Sequence, residues 1–352
     1  MKAAYAPYRL IFKAPAGTSR GILLHKDTYF LKVWDESNPE VYGLGECALF
    51  KGLSREDTPL YESKLREMCQ NIALGKSTDL SEYSSLQFGL ETALCDLSNG
   101  GRRVVVDTPF VHGETTIPIN GLVWMGSFDE MSARIEEKLS AGFTTIKLKI
   151  GAIDFESELE LIRQLRGRFS SETLTIRVDA NGGFSPEEAL PKLNRLAAYG
   201  IHSCEQPIKP NQWAEMRKIC AESPIHIALD EELIGKFSSE EKVAMLDEIH
   251  PAYIVLKPTL IGGYSGAEEW IRLAKERNIG WWVTSSLESN IGLNALAQWV
   301  ATLDIDMAQG LGTGGVFSNN FASPLHLEGE RLKYDPTKSL DRKELARLDW
   351  RE

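Results

Sequence analysis

The sequence predicts an α/β protein, a small α+β domain followed by a closed barrel of alternating strands and helices. Three observations carry this. From Ile117 onward, eight short apolar runs alternate with helical stretches over about 200 residues, which implies parallel strands and favours closure over an open sheet. Five of those runs carry a charged residue at or next to their carboxyl end, spaced by about one strand–helix unit. Residues 1 to about 117 lack this alternation and place strand-like segments before helical ones, the order of an α+β unit.

In the N-terminal domain, Tyr5–Lys13 and 21–35 alternate as strands, with Pro15, Gly17 and Arg20 in the loop between them. Tyr42-Gly43-Leu44-Gly45-Glu46 reads as a second glycine-rich loop, and helices are expected near 54–74 and 84–98. Leu86, Leu90, Ala93, Leu94 and Leu97 fall on one face of the second helix by their three- and four-residue spacing. Arg20 and the Gly43–Gly45 loop are expected to close over the barrel mouth, since glycine lets backbone hinge near a ligand.

The barrel strands are expected at 117–123, 144–150, 173–179, 201–206, 225–230, 252–257, 281–286 and 306–310. Ser185-Pro186-Glu187-Glu188 and Ser238 with Glu241 mark helix starts as capping boxes. Gly200 suits a helix end, and Pro191 should kink its helix. The tail, 319–352, carries no further strand–helix unit and should return to the first domain. The expected division is therefore 1–117 capping domain, 118–318 catalytic barrel and 319–352 tail completing the cap.

Of 352 residues, 43% are hydrophobic and 25% charged, the balance of a globular chain. The net charge of −11 disfavours nucleic acid and anionic membrane as partners but not a small anionic substrate. Five cysteines without a CxxC pair argue against a disulfide scaffold or structural zinc and for a reducing compartment. The sequence shows no signal peptide and no apolar run long enough to span a bilayer, so a cytoplasmic enzyme is expected. It leaves room for a homo-oligomer.

Period-two alternation turns Lys147 and Lys149 inward from one strand, and Arg177 and Asp179 from the next. Glu205, Asp230 and Lys257 end the following three. The successive gaps along Lys149, Asp179, Glu205, Asp230 and Lys257 are 30, 26, 25 and 27 residues, so the five groups should ring one barrel mouth. A single strand-end carboxylate is as often a helix cap, and a Lys-x-Lys pair as often a solvated edge. Five in register are not explained that way, because buried charges must compensate one another. Three carboxylates call for a hard divalent cation, Mg²⁺ or Mn²⁺. No histidine sits at a matching strand end. A cation chelating a substrate carboxylate makes the adjacent C–H more acidic. A lysine becomes the base if neighbouring cations lower its pKa from about 10.4 toward about 7–8. Lys257, across the mouth, could protonate the other face or stabilise the anion.

The motifs Thr145-Ile146-Lys147-Leu148-Lys149, Arg177-Val178-Asp179-Ala180-Asn181, Cys204-Glu205-Gln206-Pro207, Leu229-Asp230-Glu231 and Val255-Leu256-Lys257-Pro258 resemble those of the muconate-lactonizing-enzyme subgroup of the enolase superfamily. That resemblance implies a modified TIM barrel, (β/α)7β, under an α+β N-terminal capping domain. The runs Leu256–Gly263 and Ser285–Gly292 further resemble the o-succinylbenzoate synthase family, lyases that dehydrate a cyclohexadiene carboxylate in menaquinone biosynthesis. The resemblance implies Mg²⁺ on Asp179, Glu205 and Asp230. It makes Lys149 the base that then assists loss of hydroxide, and Lys257 the cation beside the enediolate. Lys147, Asn181, Ser285, Ser286 and Arg20 would contact the substrate, the serines by holding its succinyl carboxylate ahead of a helix.

Three other readings stay open. An N-succinylamino acid racemase or dipeptide epimerase would use the same lysines and cation. The acid pair a dipeptide epimerase would use for an ammonium is missing from Gly310–Gly315, and Asp304 and Asp306 precede the last strand as ordinary loop acids. A Schiff-base aldolase would leave three carboxylates unexplained. A non-catalytic scaffold would leave the buried charges unused.

Overall fold

The computed structural model describes residues 1–18, 21–151, 154–340 and 342–352. Strands β1 (Lys2–Thr18), β2 (Gly21–Trp34) and β3 (Tyr42–Cys47) form an antiparallel sheet in that order. β1 and β2 pair from Lys2 with Trp34 to Thr18 with Gly21, with a register shift between Ile11 and Ala16. Helices α1 (Tyr61–Ala73) and α2 (Ser84–Ser98) cover one face.

The segment expected as a glycine loop over the mouth is instead β3. Its glycines serve helix packing: a Cβ on Gly43 would lie 1.8 Å from the Ala93 carbonyl oxygen, and one on Gly45 1.9 Å from that of Gly89. Leu94 departs from the expected apolar face and is exposed. α2 is wedged between β3 and the barrel, and it buries Phe88, Gly89, Thr92 and Asp96 as well as Leu86 and Ala93. Glu91 reaches across to the barrel and accepts hydrogen bonds from the Tyr264 N–H and the Ser265 hydroxyl, both at 2.6 Å.

The barrel runs β4 (Ile117–Pro118), β5 (Gly121–Val123), α3 (Phe128–Ser140), β6 (Thr145–Lys149), α4 (Phe155–Arg168), β7 (Thr175–Asp179), α5 (Pro186–Ala197), β8 (Ser203–Glu205) and α6 (Trp213–Glu222). It continues with β9 (His226–Leu229), α7 (Ser239–Ile249), β10 (Tyr253–Leu256), α8 (Gly263–Lys275), β11 (Gly280–Val283) and α9 (Asn290–Val300). β5 to β11 lie side by side in chain order and are parallel wherever they pair. Each crossover returns through a helix, as parallel pairing requires.

Two expected strands differ. The run 117–123 splits in two, because β4 pairs antiparallel with the tail and only β5 joins the barrel. The run 306–310 is reduced to two residues, yet these close the ring. Gln309 bridges Ile119 and Gly310 bridges Thr284, both parallel. The Asn120 and Gln309 N–H groups bond to Gln309 and Pro118 oxygens at 2.9 and 2.8 Å.

The capping boxes at Ser185 and Ser238 form as expected, and Ser127 with Glu130 makes a third. α5 continues through Pro191. Gly200 follows that helix in the left-handed region at φ +57°. In the tail, β12 (Leu325–Glu328) and β13 (Arg331–Tyr334) form a hairpin, and α10 (Arg342–Ala346) follows. Leu345 and Trp350 cluster with Phe30 and Leu44 of the N-terminal sheet.

The outer edge of β1 is met at three points: Gly17 by Met125, Phe12 by Phe317 and Tyr5 by Arg351. Among the described residues all five cysteines are free, and no helix is long and apolar enough to cross a membrane.

Candidate active site

Parallel register places the charged residues together. Lys149 lies opposite Asp179, and Asp179 opposite Glu205; Asp230 and Lys257 directly follow β9 and β10. All five, with Lys147, surround the carboxyl ends of the strands. The Lys147 ammonium donates to both oxygens of Glu205 at 2.7 and 2.6 Å and lies 2.8 Å from Asp179 Oδ2. Lys149 Nζ donates to Asp179 Oδ2 at 2.6 Å and to Asn181 Oδ1 at 2.7 Å. Lys257 pairs with Asp230.

The three lysines are not equivalent. Burial disfavours the charge on each. At Lys147, Asp179 and Glu205 outweigh burial and hold the pKa above the ordinary lysine range. At Lys257, Asp230, Glu231 and Glu205 do the same. At Lys149 burial wins, helped by Lys147 and Lys257 against Asp179, and the pKa is lowered. Among the acids, Asp179 is buried, yet Lys147 and Lys149 hold it well below the carboxylate range. Burial and the Asp179 charge push Glu205 well above it. The mouth therefore shifts its lysines in opposite directions, Lys149 down and Lys257 up.

Asp179, Glu205 and Asp230 share this mouth, but among the described residues no three acidic, histidine or cysteine side chains converge on one point as metal ligands. The ammonium groups stand directly against the carboxylates, as opposite charges do when buried together. The donor chemistry still fits Mg²⁺: three buried carboxylates at successive strand ends, with no histidine among them and an oxygen preference to match.

A cavity of about 440 Å³ opens onto the lysines and is also lined by Phe50, Trp124, Ser285, Ser286 and Leu287. Arg20 lies outside the described residues. Asn181, expected to touch substrate, is hydrogen-bonded to Lys149. At φ +44°, its amide accepts from Lys149 and donates to Glu231 Oε1 at 2.9 Å, and its N–H donates to Asp179.

The serines expected to hold a carboxylate are partly committed already. Ser285 Oγ donates to Glu288 at 2.7 Å and accepts from the Leu287 N–H and Thr313 hydroxyl. That fills a hydroxyl's capacity of one donor and two acceptor sites. The Ser286 N–H also donates to Glu288, at 2.8 Å, while Ser286 Oγ is buried without a hydrogen-bond partner among the described residues.

Sequence reasoning missed Glu288, Glu46 and Lys26. Glu288 sits inside the Ser285–Gly292 motif, between the serines, and that position was a usable signal. Glu46 ended the supposed glycine loop. Lys26 is flanked by His25 and Asp27 and carries no local signal at all.

Residues 130–330 match the family described as enolase C-terminal domain-like. The chain is 45% identical to an o-succinylbenzoate synthase of Desulfotalea psychrophila, over 94% of this chain and 98% of that protein. It is 29% identical to an L-Ala-D/L-Glu epimerase of Bacillus subtilis over 74% of each. The crystal structure of MenC from Desulfotalea psychrophila superposes with a TM-score of 0.79 at 41% identity, covering 95% of this chain and 99% of that one.

Proposed function

The chain belongs to the enolase C-terminal domain-like family, and from that footing we propose that it is an o-succinylbenzoate synthase. It would dehydrate 2-succinyl-6-hydroxy-2,4-cyclohexadiene-1-carboxylate to o-succinylbenzoate in menaquinone biosynthesis. One observation carries the chemistry: Lys149, hydrogen-bonded to Asp179 and Asn181, and Lys257, paired with Asp230, line the same buried mouth. The substrate follows from the 45% identity to the Desulfotalea synthase over nearly the whole chain.

Lys149, held by Asn181 and Asp179, takes the proton from the carbon beside the substrate carboxylate. Lys257, kept protonated by Asp230, meets the negative charge that develops on that carboxylate. The Lys149 ammonium then returns its proton to the departing hydroxyl. One C–H and one C–O bond break, a C=C bond forms, and water leaves as the ring becomes aromatic. Lys147 adds a fixed positive charge on the Lys149 side. Mg²⁺, held by Asp179, Glu205 and Asp230, would supply charge that acidifies the C–H beside a bound carboxylate. Ser286 and the backbone around it would bind the succinyl arm, and Arg20, outside the described residues, stays a proposed contact from the sequence motif alone.

A dipeptide epimerase is less well supported. Asp304 and Asp306 are exposed, and Gly310–Gly315 carries no acid for an ammonium group. The test is turnover of the cyclohexadiene carboxylate with Mg²⁺ and with EDTA. Product that forms only with the cation is expected. Absence of product from protein that binds Mg²⁺ would overturn the substrate. Deuterium exchange at the α-carbon of N-succinylamino acids and dipeptides would then identify its replacement.

A further inference from the structure

Beside the lysine mouth lies a second buried group of charges, built by both parts of the chain, that the reaction does not use. Glu288 is fully buried. One of its oxygens accepts from the Thr259 hydroxyl at 2.8 Å, and the other from the Ser285 hydroxyl and the Ser286 N–H. Thr259 stands two residues after Lys257, so one carboxylate ties the end of β10 to the loop after β11. Lys26 of β2 approaches the same loop from the N-terminal sheet. Its ammonium donates to the Ser286 and Leu287 carbonyl oxygens at 2.6 and 3.0 Å and lies 5.3 Å from the centre of the Phe50 ring. Between these anchors Leu287 holds φ +62°, a conformation a branched side chain adopts only when its surroundings impose it. Ser285, Ser286, Leu287 and Phe50 all line the cavity.

We infer that Glu288 and Lys26 are positioning residues that fix the Ser285–Leu287 loop from opposite sides, and so set the shape of the pocket for the substrate's distal arm. Glu288 fixes the N–H side and Lys26 the carbonyl side. A peptide chain clamped at both its donors and its acceptors cannot rotate, so the wall it presents to a ligand is preformed. Neither residue contacts the reacting carbon. Their loss should weaken binding of the distal arm and leave proton transfer at Lys149 intact. The inference rests on the proposed reading of the mouth as a dehydratase site.

The test compares dehydration kinetics of full-length, Mg²⁺-loaded wild type with Glu288→Gln, Thr259→Val and Lys26→Met, and melting curves for each. In Glu288→Gln an amide N–H₂ replaces an acceptor. KM should rise roughly tenfold while kcat stays within about threefold of wild type. Thr259→Val and Lys26→Met should raise KM in the same direction, by less. A folded Glu288→Gln with unchanged KM, or with a fall confined to kcat, overturns the inference. If Glu288→Gln does not fold, an unchanged KM in Thr259→Val overturns it alone. Failure of the dehydratase reading shows separately, as wild type that forms no product. The same KM comparison is then made on whichever carboxylate exchanges its α-proton.

Discussion

Glu46 on β3 accepts hydrogen bonds from both the N–H and the hydroxyl of Ser289, at 3.0 and 2.6 Å across 243 residues of sequence. Its second oxygen also takes the Gly292 N–H at 2.9 Å, so a carboxylate of the N-terminal sheet caps the first turn of α9. The contact is close enough that a Cβ at Gly292 would lie 2.7 Å from it. Together with Glu91 at α8, it fastens two barrel helices to the other domain through the free N–H groups at their starts, where negative charge is favoured. Glu46→Gln puts an amide donor against these donors. Denaturant titration should show a loss of about 1–3 kcal/mol. No loss would mean that the cap is replaced by solvent.

Gly45 makes a sharper steric demand. Gly45→Ala drives a methyl group into the Gly89 carbonyl of α2, and both partners are backbone. The stability cost should be about 2–3 kcal/mol or more, read from the unfolding midpoint. A stable Gly45→Ala protein would show that α2 can slide along β3.

The amino end of the barrel carries a titration signal. His202, stacked on Tyr253 with ring centres 5.2 Å apart, has its pKa pushed down from 6.5 to about 4 by burial, with Arg177 adding to it. The unfolded chain therefore binds this proton first as pH falls. The stability it contributes is whole above pH about 6.5 and is lost on the way to about 4. It amounts to about 1–2 kcal/mol once solvent screening is allowed for. His202→Phe keeps the stacking without the titration. Melting points measured between pH 7 and 4 should fall less steeply for that variant than for wild type.

Lys149→Ala should lower turnover by about 10²–10⁴-fold, the usual value of a positioned base, in protein that still folds. Turnover within a few-fold of wild type would reassign the base. Asn181→Asp leaves Lys149 in place but sets a negative charge where it now meets a neutral amide oxygen. That charge favours the ammonium, so the limb of the pH–rate profile that reports the free base should move to higher pH. Turnover at neutral pH should fall by roughly tenfold. A profile that does not move would detach Asn181 from the base.

What the sequence made legible depended on periodicity. Lys147, Lys149, Asp179, Glu205, Asp230 and Lys257 could be placed around one mouth because strand parity and repeat length constrain each other. The same arithmetic failed where pairing is set by distant partners. Nothing local distinguishes Ile117–Pro118, which joins the tail hairpin, from Gly121–Val123, which joins the barrel. Gly43 and Gly45 read as a loop because glycine signals both turning and close approach, and only the position of α2 selects between them. At Asn181 the motif names the residue but not the direction of its amide, which the positions of Lys149 and Glu231 set. Lys26 was invisible, since its partners are carbonyl oxygens about 260 residues away.

The bridges along β1 carry a consequence for biosynthesis. An exposed strand edge invites pairing with other chains, and β1 is made before every segment that covers its outer edge. Its cover is delivered in instalments: Met125 at one end, Phe317 in the middle, Arg351 at the other. Until Phe317 and Arg351 have been made, part of that edge is an open template. Chains shortened before Phe317 would expose that edge permanently. They should be lost to aggregation rather than to weak folding of the barrel, a difference that co-expression with a chaperone holdase would reveal as rescued solubility.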